Sequence, residues 1–286
     1  MKKAHSPTPL TPPLKWAGGK RWLLPHLRRL WVSNEHRRLV ELFCGGLAVT
    51  LGLLPERALL NDINPYLVNF YQHLQKGLAI TISMENKADA YYQGRDRFNM
   101  LIRQGETHGP EAAQLFYYLN RTGYNGLCRF NQRGEFNVPF GKYKTIKYTT
   151  DFSHYQQPLS AWQLQTSNFE AVRLDRMDFV YADPPYDVEF VSYAKEGFTW
   201  KQQVALADWL VEHKGPVVLS NQATDRIIDL YKKRGFQLVF LMSPRRISSS
   251  GDRTPAREVL AIRGLEIDRE AFQEAGSDHP KQISLL

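Results

Sequence analysis

Along this chain, short and nearly continuous apolar runs alternate with longer amphipathic stretches. Arg38-Leu39-Val40-Glu41-Leu42-Phe43 is one such run, ended by Cys44-Gly45-Gly46 and followed by apolar residues from Leu47 to Leu54. The run has the length and composition of a buried strand, the glycines punctuate it, and the stretch beyond can start a helix. Arg57-Ala58-Leu59-Leu60-Asn61 repeats the pattern as a second strand, with Asp62 just past its end and helical spacing from Pro65 to Leu74. Farther on, Asp178-Phe179-Val180-Tyr181-Ala182 reads as a strand running into Asp183-Pro184-Pro185-Tyr186, with a helix from about Trp200 to His213. Pro216 to Ser220, a helix from Asp225 to Arg234, and strands over Phe236–Met242 and Glu258–Ile262 complete the series. Alternation of this kind predicts an α/β fold with a mainly parallel, doubly wound sheet whose ligands lie at the carboxyl ends of the strands.

Between Asn64 and Thr150 the character changes to a segment rich in Tyr, Asn, Arg and Gly, densest from Asn120 to Tyr143. We read it as an inserted domain, so that residues 1–63 and 151–286 form one discontinuous domain around residues 64–150.

The length of 286 residues allows one large domain or two modest ones. With 43% hydrophobic and 23% charged residues, the chain is neither disordered nor membrane-spanning in composition. The 37 Lys and Arg exceed the 29 Asp and Glu by eight, which favours an acidic partner such as nucleic acid. Two cysteines, Cys44 and Cys128, lie far apart and outside any CxxC spacing, which suggests neither a disulfide framework nor a zinc knuckle and fits a reducing cytoplasm. The eight histidines show no ligand spacing, so no metal is expected. The N-terminal residues carry two lysines but run into prolines rather than an apolar core, unlike a secretory signal.

Three clusters carry candidate chemistry. Glycines after a strand let a ligand approach the backbone, and an acid ending the next strand can accept both hydrogen bonds of a ribose diol; Phe43, Gly45, Gly46 and Asp62 stand at that spacing. By themselves they also read as a simple turn and a helix cap. The absence of GxGxxG points to a mononucleoside-like cofactor rather than a dinucleotide. In Asp183-Pro184-Pro185-Tyr186, successive prolines fix an extended loop and remove two N–H donors, leaving a carboxylate, a carbonyl and a ring. Such a set can accept both hydrogens of an exocyclic amine, turning its lone pair toward a methyl sulfonium while Tyr186 stacks on the ring that bears it. The third cluster is Leu14-Lys15-Trp16-Ala17-Gly18-Gly19-Lys20.

In this order, Lys-Trp-Ala-Gly-Gly-Lys, Phe-x-Gly-Gly, Asn-Asp-Ile-Asn, the insert and Asp-Pro-Pro-Tyr, the chain resembles the Dam-like DNA adenine-N6 methyltransferases over about residues 12–262. The resemblance implies a Rossmann-like methyltransferase sheet with an inserted, mainly helical target-recognition domain carrying a β-hairpin. It implies S-adenosylmethionine as methyl donor, with Trp16, Lys20, Phe43, Gly45, Asp62 and Asp183 lining its pocket and Asp62 on the ribose hydroxyls. Asp183, Pro184 and Tyr186 would hold the target adenine as the catalytic set. Leu42 and Leu47 depart from the family pattern, in which a proline and a small residue are common at these positions.

Within the insert, residues 120–143 look like the family's DNA-reading hairpin. The resemblance places Arg129 on a guanine, Leu127 and Pro139 against thymine methyls and Lys15 on the first guanine. Tyr124 and Asn125 would fill the space vacated by a flipped adenine. Arg121, Lys142 and Tyr143 complete the DNA-binding set, with Lys142 expected on phosphate because lysine lacks the guanidinium fork. Phe130, Phe136 and Phe140 read as core. The basic run Arg245 to Arg253 is expected on phosphates. The expected activity is site-specific methylation of adenine N6 in double-stranded DNA, within GATC, by a monomer in the cytoplasm of a prokaryotic or phage-infected cell. Two other readings stay open at this point. One is an amino methyltransferase acting on cytosine N4, RNA or a protein amide; the other is a silent DNA-binding protein with the same fold. Restriction-modification, phage and housekeeping roles fit these motifs equally.

Overall fold

The computed structural model describes residues 10–187, 198–244 and 255–267. The elements run α1 (Leu24–Trp31), β1 (Leu39–Glu41), α2 (Ala48–Leu53), β2 (Ala58–Asp62), α3 (Pro65–Gln75), α4 (Ala88–Gln104), α5 (Pro110–Thr122), α6 (Ser153–Leu159), β3 (Trp162–Thr166), β4 (Phe179–Ala182), α7 (Trp200–Glu212), β5 (Val217–Gln222), α8 (Asp225–Lys233), β6 (Gln237–Ser243) and β7 (Ala256–Arg263). The seven-stranded sheet has the order β3-β2-β1-β4-β5-β7-β6. Strands β2, β1, β4 and β5 pair in parallel, while β7 runs antiparallel to both β5 and β6. The α/β, doubly wound architecture expected from the alternation, and the Rossmann-like sheet that the resemblance implied, are therefore present, and the far edge is an antiparallel pair.

Contacts divide the chain into two compact units. One comprises residues 1–19, 45–54 and 62–166; the other comprises 20–44, 55–61 and 167–286. These boundaries differ from the expected cut at residues 64–150, because the N-terminal segment, the glycine turn with α2, and β3 group with the helices.

In the sheet-bearing unit the parallel strands are mostly apolar, with Glu41, Asn61, Ser220 and Asn221 as buried polar residues. All four residues of β4 are buried, and Val40, Leu42, Val180, Val217, Leu219, Val259 and Ala261 pack against Leu206, Leu210, Ile227 and Tyr231 of α7 and α8. Each such Val, Leu or Ile side chain contributes about 1.5–3 kcal/mol on burial. Helices α7 and α8 begin where the sequence supplies caps. Thr199 and Gln202 form a capping box at α7, and the Thr224 side chain accepts from Ile227 N at α8.

The other unit is helical around an aromatic core. Phe70 stacks on Tyr117 at 5.7 Å, and Phe152 meets Tyr117 edge-on at 5.2 Å. Asn64 caps α3 by accepting from Tyr66 and Leu67 N, and Pro65 stands where its missing N–H costs nothing. Leu47 precedes α2 in the left-handed region at φ 57°. That conformation costs a non-glycine residue about 1–2 kcal/mol. Full burial of the leucine offsets the cost.

The expected hairpin within 120–143 forms isolated antiparallel bridges, Phe130 with Phe136 and Gly123 with Phe140, rather than a regular ladder. The reason is local. The Asn131 side chain accepts from Arg133 N and Glu135 N at 2.9 and 3.0 Å and closes the turn that sets Phe130 opposite Phe136. Pro139, which has no N–H, and Lys142, at φ 51°, interrupt pairing beyond it.

Candidate active site

The Asp-Pro-Pro-Tyr loop leaves the carboxyl end of β4, where two prolines stop the ladder by removing N–H donors. Its parts are fixed one by one within the sheet-bearing unit. Asp183 Oδ2 meets Lys20 Nζ at 2.9 Å, and Oδ1 accepts from Ser220 Oγ at 2.8 Å. Ser220 lies in turn 3.0 Å from Tyr181 Oη. Gln203 Nε2 donates to the Pro185 carbonyl at 2.9 Å, and Gln203 is itself held by Asn221 at 3.0 Å. The Pro184 carbonyl has no donor among the described residues. Tyr186 Oη donates to Glu258 Oε2 at 2.6 Å, and Asp187 forms a two-pronged ion pair with Arg226. Lys20, only 4% exposed, sits 4.6 Å from the Tyr186 ring centroid and 4.0 Å from Glu258 Oε2.

Electrostatics follow from this burial. Desolvation pushes the Glu258 carboxyl above its usual value, against the opposing pull of Lys20 and of hydrogen bonds from Tyr186 and Ser243. Desolvation also raises the Tyr186 phenol well above its ordinary range, reinforced by the charges of Asp183 and Glu258. In the same unit Phe43 packs against Phe169 and Phe198, with ring centroids at 6.0 and 5.5 Å.

The glycine turn belongs to the other unit. Gly45 adopts φ 41°, and a Cβ there would lie 2.7 Å from Trp16 Nε1; one on Gly46 would lie 2.8 Å from Trp16 Cβ. Glycine is thus required for the indole to lie against the turn. Asp62 Oδ2 accepts from Gly45 N and Oδ1 from Asn64 N, both at 3.0 Å, which fixes the carboxylate at the strand end. Desolvation raises its pKa, and backbone donors from Asn64, Gly45 and Ile63 oppose the rise. Tyr71 Oη donates to the Gly45 carbonyl at 2.7 Å and braces the turn from beneath. With three backbone donors on a carboxylate that has about four acceptor sites, Asp62 keeps room for a further donor, so this set fits a nucleoside sugar beside a flat aromatic face.

The same unit holds the predicted recognition residues. Lys15 N donates to Asn120 Oδ1 at 2.9 Å while Asn120 Nδ2 donates to the Lys15 carbonyl at 2.8 Å, a two-way clamp. Lys15 Nζ donates to the Arg121 carbonyl at 3.0 Å and lies 3.9 Å from the Tyr143 ring centroid. Burial and the Arg121 charge push Lys15 down to about 8. Arg121 spends donors on the Lys147 carbonyl, and Tyr143 Oη donates to the Gly123 carbonyl at 3.1 Å. Arg129 is exposed and oriented by Asn137, with Nε to Oδ1 at 2.8 Å and Nη2 to the carbonyl at 3.2 Å. Tyr124, Pro139 and Lys142 are exposed, and Asn125 and Leu127 are half-buried. Asn125 and Lys142 both take positive φ, 52° and 51°.

A family model described as D12 class N6 adenine-specific DNA methyltransferase matches residues 16–243. The chain belongs to this family. The D12 methyltransferase is 36% identical over 270 residues to the DNA adenine methylase of Escherichia coli K12, in an alignment covering 87% of this chain and 94% of that protein. It is 35% identical over 274 residues to the DNA adenine methylase of Vibrio cholerae El Tor Inaba N16961, with coverage of 87% and 94%. The Retron Ec67 DNA adenine methylase of Escherichia coli is 34% identical over 270 residues, with coverage of 88% and 90%. The resemblance stated on the motifs is thus a family relationship, and the chain is an adenine-specific DNA methyltransferase.

Within this D12 enzyme, the structure brings Lys20, Asp183 and Tyr186 together in one unit, and Trp16, Gly45 and Asp62 together in the other. Ser220, Gln203 and Glu258 were not anticipated. The only hint in the sequence is a polar residue at the end of each apolar strand or helix face, a common feature that does not name its partner. The basic run Arg245–Arg253 lies outside the described residues. Among the described residues no group of three or more His, Cys, Asp or Glu is arranged to hold a metal ion, and no helix is long and apolar enough to cross a membrane.

Proposed function

We propose that this enzyme transfers a methyl group from S-adenosylmethionine to N6 of an adenine turned out of double-stranded DNA, within GATC, acting as a cytoplasmic monomer. The observation that carries the chemistry is the fixed pair at the end of β4: the Asp183 carboxylate, held by Lys20 and Ser220, next to the Pro184 carbonyl, which has no donor among the described residues. S-adenosylmethionine, when bound, supplies an electrophilic methyl on sulfur. Asp62 and Trp16 would receive its nucleoside. Gly45 would give it close backbone approach, while Lys20, Phe43 and Asp183 would line the remainder.

Adenine N6 is a poor nucleophile because its lone pair is shared with the ring. Asp183 and the Pro184 carbonyl, each accepting one N6–H, favour a more tetrahedral nitrogen and so free that lone pair. Tyr186 stacks on the adenine through the ring face opposite Lys20, whose ammonium occupies the other. Opening the base pair costs a few kcal/mol, and Tyr124 and Asn125 would offset part of it. The proton leaves N6 after the new bond has made it strongly acidic, so no tuned base is needed. Base reading falls to Arg129, Leu127, Pro139 and Lys15, with Arg121, Lys142 and Tyr143 supporting the contact. For Lys15 this requires its ammonium to leave the Arg121 carbonyl.

The test is Asp183→Ala, measured by transfer of labelled methyl and by DNA affinity. Transfer should vanish while DNA binding is largely kept. Near-normal turnover would refute the mechanism, and label appearing on RNA, protein or cytosine instead of adenine would refute the substrate.

A further inference from the structure

Glu258 lies on β7, beyond the span matched by the family model, and is a carboxylate only 7% exposed. Burying a carboxylate is costly unless its partners repay it. Here Oε2 accepts from Tyr186 Oη at 2.6 Å and lies 4.0 Å from Lys20 Nζ, the same ammonium that meets Asp183 Oδ2 at 2.9 Å. One residue therefore touches both ends of the Asp-Pro-Pro-Tyr loop, Tyr186 directly and Asp183 through Lys20. A hydrogen bond at the para position of a ring stops it from swinging about its Cα–Cβ bond, and an ionised acceptor shortens and strengthens that bond.

We infer that Glu258 is a positioning residue for methyl transfer, which fixes the plane of Tyr186 so that the ring face away from Lys20 receives the target adenine. This rests on the reading of Tyr186 as the stacking ring. A ring that stacks on the reacting base sets where N6 stands relative to the methyl group, so a small loss of ring order acts on the chemical step more than on binding. Lys20 on the opposite face closes off the alternative stacking side.

Four variants test the inference, each assayed for kcat, KM for GATC duplex, cofactor Kd and Tm. Glu258→Ala should lower kcat by about 10- to 100-fold, with KM and Kd within about threefold of wild type. Tyr186→Phe, which keeps the ring and loses only the tether, should lower kcat to a similar degree, and the double variant should fall little further, because the two changes remove one interaction. Glu258→Gln keeps an acceptor for the phenol and should restore kcat to within about threefold of wild type. Wild-type kcat in Tyr186→Phe would overturn the inference, even where Glu258→Ala fails to fold. So would Glu258→Gln as slow as Glu258→Ala, or a double variant whose losses multiply. These outcomes are separate from failure of the catalytic reading itself, which would appear as turnover in Asp183→Ala.

Discussion

Lys20→Met keeps the length of the buried stem and removes its charge. Lys20 is the cation shared by Asp183 at 2.9 Å and Glu258 at 4.0 Å, and only 4% of its surface is exposed. Removing one partner of a buried ion pair costs about 3–5 kcal/mol, because the remaining charge stays desolvated. For a chain of this size each kcal/mol is worth about 2–4 °C in Tm, so the variant should melt about 6–20 °C below wild type near pH 8. The deficit should shrink toward pH 5. Glu258 already has its folded pKa raised by burial, so its contribution to stability is complete below the ordinary glutamate value and is lost as pH rises through the raised one. Lys20 opposes that rise, so deleting it extends the loss over a wider pH range. Each unit of additional shift is worth about 1.4 kcal/mol. Thermal unfolding at pH 5 and pH 8 reads both effects. A variant melting within about 2 °C of wild type at pH 8, or one whose deficit is larger at pH 5, would refute the reasoning.

Gly126→Ala places a Cβ at φ 62°, 2.3 Å from Lys15 Cβ, an atom that no change of lysine rotamer can move away. It should cost about 2 kcal/mol or more, read as a Tm lower by about 4–8 °C. Cys128 is pushed up to about 12, chiefly by burial, so native protein at pH 8 should resist alkylation while unfolded chain takes up two equivalents. Arg129→Ala should lower discrimination at one guanine of the site by about 1–3 kcal/mol, measured as the ratio of kcat/KM on GATC to that on a singly substituted duplex.

Much of the sheet was legible in the sequence because its parallel strands are buried on both faces and so appear as nearly continuous apolar runs. The helices after them carry recognisable starts, such as Asn64-Pro65 and Thr224-Asp225. Strand β3 was not, since Trp162-Gln-Leu-Gln-Thr is half polar and lies at a sheet edge. The short helix α1 was hidden behind the Lys-Trp-Ala-Gly-Gly-Lys motif. In the candidate site, the placement of Asp62, Asp183 and Tyr186 was legible because strand ends and prolines mark them. Ser220, Gln203 and Glu258 were not, because their partners lie 37, 18 and 72 residues away and a lone polar side chain does not reveal which backbone it will meet. Lys15 and Arg121 read as DNA-contacting cations, yet the fold directs their donors to the Arg121 and Lys147 carbonyls.

The central claim is methyl transfer to adenine N6 within GATC. The most direct measurement incubates unmethylated DNA with the enzyme and S-adenosylmethionine, then digests it with nucleases that distinguish methylated from unmethylated GATC. The account predicts that wild-type enzyme, and not Asp183→Ala, converts these sites to the methylated pattern. GATC left unmodified while adenine elsewhere is methylated would contradict the recognition assignment, and no methyladenine at all would contradict the proposed chemistry.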